Sequence, residues 1–214
     1  MSITTYAELQ TAVENWLARS DLTSRVTEFI QLGESRLNSK LRLFQQETTD
    51  TSISLASSSD SASLPSGFLE AIDLYYNTDY YRPTQVDKRT LNALRSTSTA
   101  RPNYYTVDTA FQFEISADQA YTLTCDYYAK WDIATDSTNW LLTNAPDAYL
   151  RASLTAAFEY IRNTEEMLKW KQLTDESIKE LNRVDSRTRG QATMRVDAGL
   201  RSRDGRSFNI NRGY

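Results

Sequence analysis

Tyr121-Thr-Leu-Thr-Cys-Asp-Tyr-Tyr128 and Asn144-Ala-Pro-Asp-Ala-Tyr-Leu-Arg-Ala-Ser-Leu-Thr-Ala-Ala-Phe-Glu-Tyr-Ile161 are the two stretches that decide the fold class. In the first stretch apolar residues occupy every second position, which is the period of a half-buried strand. In the second, apolar residues follow helical spacing behind Pro146, whose missing N–H is harmless in a first helical turn. Asn144 or a neighbour is expected to cap that helix. A strand period beside a helix period indicates an α+β protein.

Two neighbouring helices are predicted at the start of the chain. Thr5 and Glu8 form a capping box for a helix over 5–19, and a second helix is expected from Ser20-Asp21 to about Leu43. Gly33 lies on the apolar face of the second helix, where glycine costs about 1 kcal/mol relative to alanine. We therefore expect another helix to cross closely at Gly33.

The middle of the chain is rich in strand patterns. Alternation and turn residues predict strands over 48–55, 69–76, 104–107, 111–115 and 121–128, with a surface loop over 56–63 and a short helix over 86–95. The segment from Tyr104 to Tyr128 is expected to form a small antiparallel meander. Helix returns at Pro146, and Thr164 is expected to cap a further helix that runs to about Arg183.

These patterns predict an α+β fold built on an antiparallel helical bundle. An N-terminal helix pair and long C-terminal helices form the bundle, and a small antiparallel β-rich layer is inserted between them. An extended C-terminal arm follows. The expected division is a single domain over 1–189, with helices over 5–44 and 146–186 and the β-rich insert over 48–131, and a docking arm over 190–214.

Charge is distributed unevenly along the chain. From Met1 to Asn182 there are 16 basic and 25 acidic side chains, whereas from Arg183 to Tyr214 there are 8 basic ones, all arginine, and 3 acidic ones. The helical periodicity fails from Gly190, so this segment has no core of its own, yet it is too apolar for a purely solvated tail. We expect an arm that orders on an acidic protein surface, such as that of a neighbouring copy. Its expected partner-binding residues are Arg195, Arg201, Arg203, Arg206, Phe208, Ile210, Arg212 and Tyr214.

The residue inventory removes several chemistries. The chain has no histidine and one cysteine, which excludes Ser-His and Cys-His nucleophile pairs and zinc sites made of histidine or several cysteines. We predict no catalytic, cofactor-binding or metal-binding residues, and we interpret Cys125 as a small core residue. A hydrolase with two convergent carboxylates remains an alternative. A second alternative is a nucleic-acid-binding module in which Arg201, Arg203 and Arg206 contact phosphates and Phe208 stacks on a base.

The sequence also predicts where the protein is made. No apolar run approaches the roughly 20 residues of a membrane span, and residues 1–5 lack the basic and apolar regions of a signal peptide. The single Cys125 fits a reducing compartment. We therefore expect a soluble protein that is made in a cytoplasm.

Several segments carry a resemblance to a known family. They are Tyr6-Ala-Glu-Leu-Gln-Thr-Ala-Val-Glu-Asn-Trp-Leu-Ala-Arg-Ser-Asp-Leu22, Phe29-Ile-Gln-Leu-Gly-Glu-Ser-Arg-Leu-Asn-Ser-Lys-Leu-Arg42, Leu64-Pro65 with Phe68-Leu69, Arg101-Pro-Asn-Tyr-Tyr-Thr-Val107, and Tyr127-Tyr-Ala-Lys-Trp131 followed by Thr138-Asn-Trp-Leu-Leu-Thr-Asn-Ala-Pro-Asp-Ala-Tyr-Leu150. Over roughly Tyr6 to Arg183 the chain resembles the head-to-tail adaptors, or connector proteins, of short-tailed bacteriophages (the podovirus portal adaptor family). The sequence beyond Gly190 carries none of the resemblance.

The resemblance implies a structural virion protein and not an enzyme. Members form a ring, here expected to have twelve copies, that docks under the portal protein, extends the DNA channel and offers a platform to tail proteins such as a nozzle or fibres. It further implies a place in the virion neck, assembly in the host cytoplasm, and passage of DNA through the channel without specific binding. A virion-associated cell-wall hydrolase, a nucleic-acid-binding module and a binding module unrelated to phage stay open as alternatives.

Overall fold

Residues 3–189 are described by the computed structural model, and they form two lobes. The helices are α1 Tyr6–Leu17, α2 Val26–Lys40, α3 Lys88–Leu94, α4 Ile133–Asp136, α5 Trp140–Asn144, α6 Pro146–Ile161 and α7 Thr164–Arg189, and the strands are β1 Glu47–Leu55, β2 Ser61–Ala62, β3 Phe68–Tyr76, β4 Thr84–Gln85, β5 Tyr104–Val107, β6 Phe111–Phe113 and β7 Tyr121–Ala129. All helices except α3 build the helical lobe, and α3 joins the strands in the β lobe. The predicted α+β class is confirmed, whereas the division into one domain and an arm stays a prediction.

The N-terminal helix pair follows the prediction at its start but not throughout. The Thr5 hydroxyl accepts the Glu8 N–H at 3.3 Å, and the Glu8 carboxylate accepts the Thr5 N–H at 3.1 Å, so the capping box is confirmed. The predicted second helix is too long at both ends, because Ser20–Arg25 is a 3-10 turn and α2 ends at Lys40. Beyond it, Leu41 and Leu43 are both buried in extended chain, where alternate residues share one side.

The helical lobe is packed around α6. A Cβ added at Gly33 would lie 2.8 Å from the Ser153 backbone nitrogen and 2.9 Å from the Ala152 carbonyl carbon. The close helix crossing predicted at Gly33 is therefore confirmed, and α6 is the helix that crosses there. Small residues on α6 make the approach possible, since Ala152, Ser153 and Ala157 are fully buried.

The starts of α6 and α7 follow the prediction to different degrees. Pro146 occupies the first turn of α6, and the cap position is Ala145, a neighbour of Asn144 as the prediction allows, although it makes no side-chain capping bond. The Asn144 amide donates to the Trp140 carbonyl at 2.9 Å. At the start of α7 the side chain of Asn163, not Thr164, accepts the Glu166 N–H at 3.3 Å. A single residue in the left-handed conformation, Arg162, turns the chain from α6 to α7. Helix α7 therefore begins at Thr164, the residue predicted to be its cap.

The β lobe contains two sheets, with strand orders β1-β7-β3 and β2-β6-β5-β4. The predicted meander over 104–128 is wrong, because β7 leaves β6 and inserts between β1 and β3. The other edge of β6 is taken by β2, a two-residue strand inside the predicted loop over 56–63. Alternation identified the buried face of β7 correctly, but that face packs against β6 across the core and does not pair with it at an edge.

The core of the β lobe is aromatic. Tyr76, Phe111 and Phe113 are fully buried, and the Tyr76 hydroxyl donates to the Pro102 carbonyl at 2.9 Å. Cys125 lies in the same core, as predicted, and burial raises the pKa of its thiol to about 12. Its thiol is therefore protonated at neutral pH.

Candidate interaction surfaces

The partner-binding residues predicted from the sequence lie outside the described residues. These are Arg195, Arg201, Arg203, Arg206, Phe208, Ile210, Arg212 and Tyr214. The described part of the chain defines instead the point from which the arm begins, a cleft at the junction of the two lobes, and an aromatic patch on the helical lobe.

Arg189 ends α7 and attaches that helix to the β lobe. Its guanidinium pairs with Glu47 at 2.7 Å and with Asp185 at 2.7 Å. It also donates to the Tyr128 hydroxyl at 3.0 Å and lies 5.7 Å from the centre of that ring. Asp185 in turn accepts the Phe44 N–H at 2.7 Å. These contacts extend α7 to Arg189, beyond the predicted end at about Arg183, and they place the last described residue beside the start of β1.

The lobes are joined through α2 and the chain that leaves β7. The Asn38 amide donates to the Trp131 carbonyl at 2.9 Å and accepts the Trp131 N–H at 3.0 Å. One turn earlier, Glu34 accepts the Ile133 N–H at 2.8 Å. The backbone after β7 has no neighbouring strand to bond to, and the side chains of Asn38 and Glu34 on α2 supply its hydrogen-bond partners instead. A cleft of about 630 Å³ opens beside them.

Glu34 is a buried carboxylate in this junction. It accepts the Tyr149 hydroxyl at 2.9 Å, and the Asn139 amide donates to the same hydroxyl at 2.7 Å. Burial raises the pKa of Glu34, and the hydrogen bonds from Ile133 and Tyr149 partly oppose that rise. Burial also raises the pKa of Tyr149. This chain of polar groups fixes α2, α6 and the segment after β7 relative to one another.

The buried acids of the described residues do not converge. Besides Glu34, the buried acid is Glu114, which lies in the β lobe and accepts the N–H groups of Asn103 and Tyr104 at 2.7 and 3.0 Å. Each carboxylate is satisfied by donors in its own lobe, unlike the facing pair that a glycosidase needs. No group of three or more metal-ligating side chains is found between residues 3 and 189.

An aromatic patch lies where α1 meets the α6–α7 hairpin; we define it as Trp16, Phe158 and Trp170. The rings of Trp16 and Trp170 meet edge to face with centres 5.4 Å apart, and Phe158 stacks on Trp170 at 6.5 Å. Trp16 is 57% exposed. The patch continues into a shallow groove along α1, lined by Ile3, Ala7, Glu8, Thr11, Ala12, Asn15 and Trp16. Exposed apolar surface of this kind is typical of interaction sites.

Sequence reasoning missed the junction, although one signal for it was available. Glu34 and Asn38 occupy positions one turn apart on the otherwise apolar face of the second predicted helix, with Ile30, Gly33 and Leu37. Polar side chains on a buried face need hydrogen-bond partners, so this pair indicates that another segment of the chain packs there and supplies them. Nothing in the pattern says which segment it is.

A family model described as SU10 adaptor protein matches residues 4–197. The chain belongs to the SU10 adaptor protein family. The match covers both lobes and their junction, and it confirms the resemblance to phage head-to-tail adaptors. No curated protein matches the chain.

Family membership gives the protein a structural role in the phage head-to-tail connector. Adaptors of this kind are structural proteins and not enzymes, they work in oligomers that contact portal and tail proteins, and they belong to the virion neck. None of the helices described between residues 3 and 189 combines the length and the apolar composition that a bilayer crossing requires.

Proposed function

We propose that copies of this SU10-family adaptor close into a ring of twelve below the portal, after synthesis in the host cytoplasm. The ring extends the channel for DNA and gives tail proteins, a nozzle or fibres, a platform for attachment. The observation that carries this proposal is the family match over residues 4–197.

The aromatic patch supports a ring contact. A closed ring uses a heterologous interface, in which one surface of a copy meets a different surface of the next. Trp16 and Trp170 are residues of the kind enriched at the centres of protein interfaces. Glu8, which lines the α1 groove, adds a negative charge beside the patch.

The arm over 190–214 docks on the portal or on an adjacent subunit. Arginines pair there with carboxylates, and Phe208 and Tyr214 fill pockets. The docking residues are Arg195, Arg201, Arg203, Arg206, Phe208, Ile210, Arg212 and Tyr214. The contacts of Arg189 support the proposal, because they give the arm a fixed starting point beside β1.

DNA slides through the channel without specific binding. Most basic side chains of the described body already pair with carboxylates, for example Arg42 with Glu70 and Arg101 with Asp79. A paired guanidinium has less charge to offer a phosphate, and tight phosphate binding would slow ejection. Salt-dependent binding of duplex DNA to the purified protein would contradict this part of the proposal.

Assembly on the portal tests the proposed function directly. Purified protein is mixed with portal rings of the same phage and examined by negative-stain microscopy and by mass measurement. We expect a second ring of twelve copies below the portal. Deletion of residues 195–214 should leave the circular dichroism spectrum and the melting temperature unchanged but abolish docking. An unaltered mass of the portal after mixing would contradict the ring, and docking by the truncated protein would contradict the role of the arm.

A further inference from the structure

β1 is an edge strand with an open side. Within residues 3–189 its ladder hydrogen bonds go to β7 alone, and the order β1-β7-β3 places it at the margin of the sheet. An open edge presents unpaired N–H and C=O groups, which are a template for another strand. Proteins commonly guard such edges with lysine or proline, and Glu47-Thr-Thr-Asp-Thr-Ser-Ile-Ser-Leu55 contains neither. A bulge between Asp50 and Ile53 leaves residues 47–50 in regular register.

The opposite edge of the same sheet is less accessible. The chain that follows β3 folds back over the end of that strand, where the Tyr76 N–H donates to the Tyr81 carbonyl at 2.9 Å. Arg82 then binds Asp73 of β3 at 2.7 Å. Two irregularities in the pairing of β3 with β7 further distort that edge. Residues 47–50 of β1 therefore form the regular, exposed edge of the sheet.

The end of the arm has the period of a strand. In Arg206-Ser-Phe-Asn-Ile-Asn-Arg-Gly-Tyr214 the large side chains occupy alternate positions, and serine, asparagine and glycine occupy the positions between them. In an extended segment this alternation would place the apolar side chains of Phe208, Ile210 and Tyr214 on one face. The segment is also basic, with Arg206 and Arg212, whereas β1 carries the acidic Glu47 and Asp50, so the charges of the two segments are opposite in sign.

The starting point and the length of the arm indicate which copy supplies the strand. The arm begins next to Glu47 through Arg189, and residues 190–205 separate that point from Arg206. A hairpin to the same subunit needs roughly 2–5 residues, and such long connections are uncommon inside a compact domain. Sixteen extended residues span about 50 Å, against a radius of gyration of about 16 Å for a body of this size. The length fits a reach to a neighbour.

We propose that residues 206–214 of one copy add as a strand to the open edge of β1 in a neighbouring copy. The inference rests on the proposed function, because the ring is what supplies the neighbour, and it names the receptor of the arm. Backbone hydrogen bonds give the contact its strength, while Phe208, Ile210 and Tyr214 on one face give it its register. Each copy then holds the next, and no edge of β1 is left open in the ring.

Crosslinking between two variants, each with one added cysteine, tests this inference. One full-length chain carries Thr48→Cys on β1, and the other carries Asn209→Cys; the native Cys125 is buried and does not compete. The two are mixed in equal amounts, alone and on portal rings, and treated with a short bismaleimide. We expect a 48–209 link between chains in roughly tenfold excess over the control pair Thr11→Cys with Asn209→Cys, because strand pairing raises the effective concentration of the thiols.

The same experiment has outcomes that decide against the inference. Adding Ile210→Pro to the Asn209→Cys chain should remove the link, since proline cannot take part in the ladder; an unchanged link would overturn strand addition. A chain that carries both cysteines, diluted in native protein, would link internally if the arm folded on its own subunit, and that result would overturn the role of the neighbour. Rings that form on the portal without the 48–209 link would overturn the inference and leave the proposed function standing. A 48–209 link between chains that form no ring on the portal would contradict the proposed function and leave strand addition standing.

Discussion

The two lobes reach a packed core by different routes. In the helical lobe, small residues on α6 such as Ala152 and Ala157 let α2 approach until Gly33 touches the α6 backbone. In the β lobe, rings fill the space between two sheets, and the ring of Phe111 meets that of Phe68 with centres 5.8 Å apart. Close approach makes the helical core sensitive to added volume, whereas large rings make the β core sensitive to lost volume.

The lobes are held together by a small set of polar contacts. The side chain of Asn38 makes hydrogen bonds to both the carbonyl and the N–H of Trp131. Arg42 pairs with Glu70 at 2.9 Å, and Arg189 pairs with Glu47. Ion pairs that are this exposed contribute at most about 1 kcal/mol each. We therefore expect the cores to lose stability separately when only one of them is damaged.

The largest expected effect is that of Phe111→Ala in the β lobe. Removal of a fully buried ring should lower the free energy of unfolding of this lobe by about 3–5 kcal/mol. Hydrogen exchange read by mass spectrometry should show faster exchange in β1, β3 and β7, with α2 and α6 unchanged. Phe44→Ala is the matched control, because this phenylalanine is 55% exposed and its loss should change little. Equal loss of protection in both lobes would show that they unfold as one unit.

The second expected effect is that of Gly33→Ala in the helical lobe. The new methyl group would meet the backbone of Ser153 and Ala152 and force α2 away from α6. Overpacking of this kind should cost about 1–3 kcal/mol despite the better helix propensity of alanine. Urea unfolding followed by tryptophan fluorescence reports it, because Trp16, Trp140 and Trp170 lie on helices of this lobe.

Ser35→Ala is the control for that substitution. Ser35 is an exposed residue on the same helix, so its replacement tests helix propensity without a clash. The two variants should therefore move the urea midpoint in opposite directions. A midpoint for Gly33→Ala at or above that of the native protein would mean that α2 and α6 separate without cost, and the proposed contrast between the cores would fail.

Local features of the fold could be predicted from the sequence, and long-range pairing could not. The capping box at Thr5, the crossing at Gly33 and the proline-led start of α6 each follow from residues within one or two turns. The position of β7 between β1 and β3 does not, because alternation identifies the buried face of a strand but not its neighbours. The arm is predicted from its loss of helical periodicity and its composition, and neither feature identifies a partner, so the arm and its receptor stay predictions.

The smallest expected effect lies in the junction, where Glu34→Gln should change how stability depends on pH. Burial holds the pKa of the folded-state carboxyl above 4.5, its ordinary value, so between the two pKa values the native protein binds more protons than the unfolded chain. The stabilisation that Glu34 contributes to the folded state is therefore fully present below pH 4.5. It is lost as the pH rises through the folded-state pKa. Glutamine does not ionise, and its oxygen can accept the same hydrogen bonds from Ile133 and Tyr149.

The stability of Glu34→Gln relative to the native protein should accordingly increase from pH 4.5 toward neutrality, and the tryptophan signal of the helical lobe should report it. Glu165→Gln, which removes an exposed acid from α7, is the matched control and should not reproduce the increase. Parallel pH profiles for the native protein and Glu34→Gln would mean that the carboxylate is as well solvated in the folded state as in the unfolded chain. The cleft beside α2 would then have to be wet enough to hydrate Glu34, and the junction would depend on Asn38 and Trp131 alone.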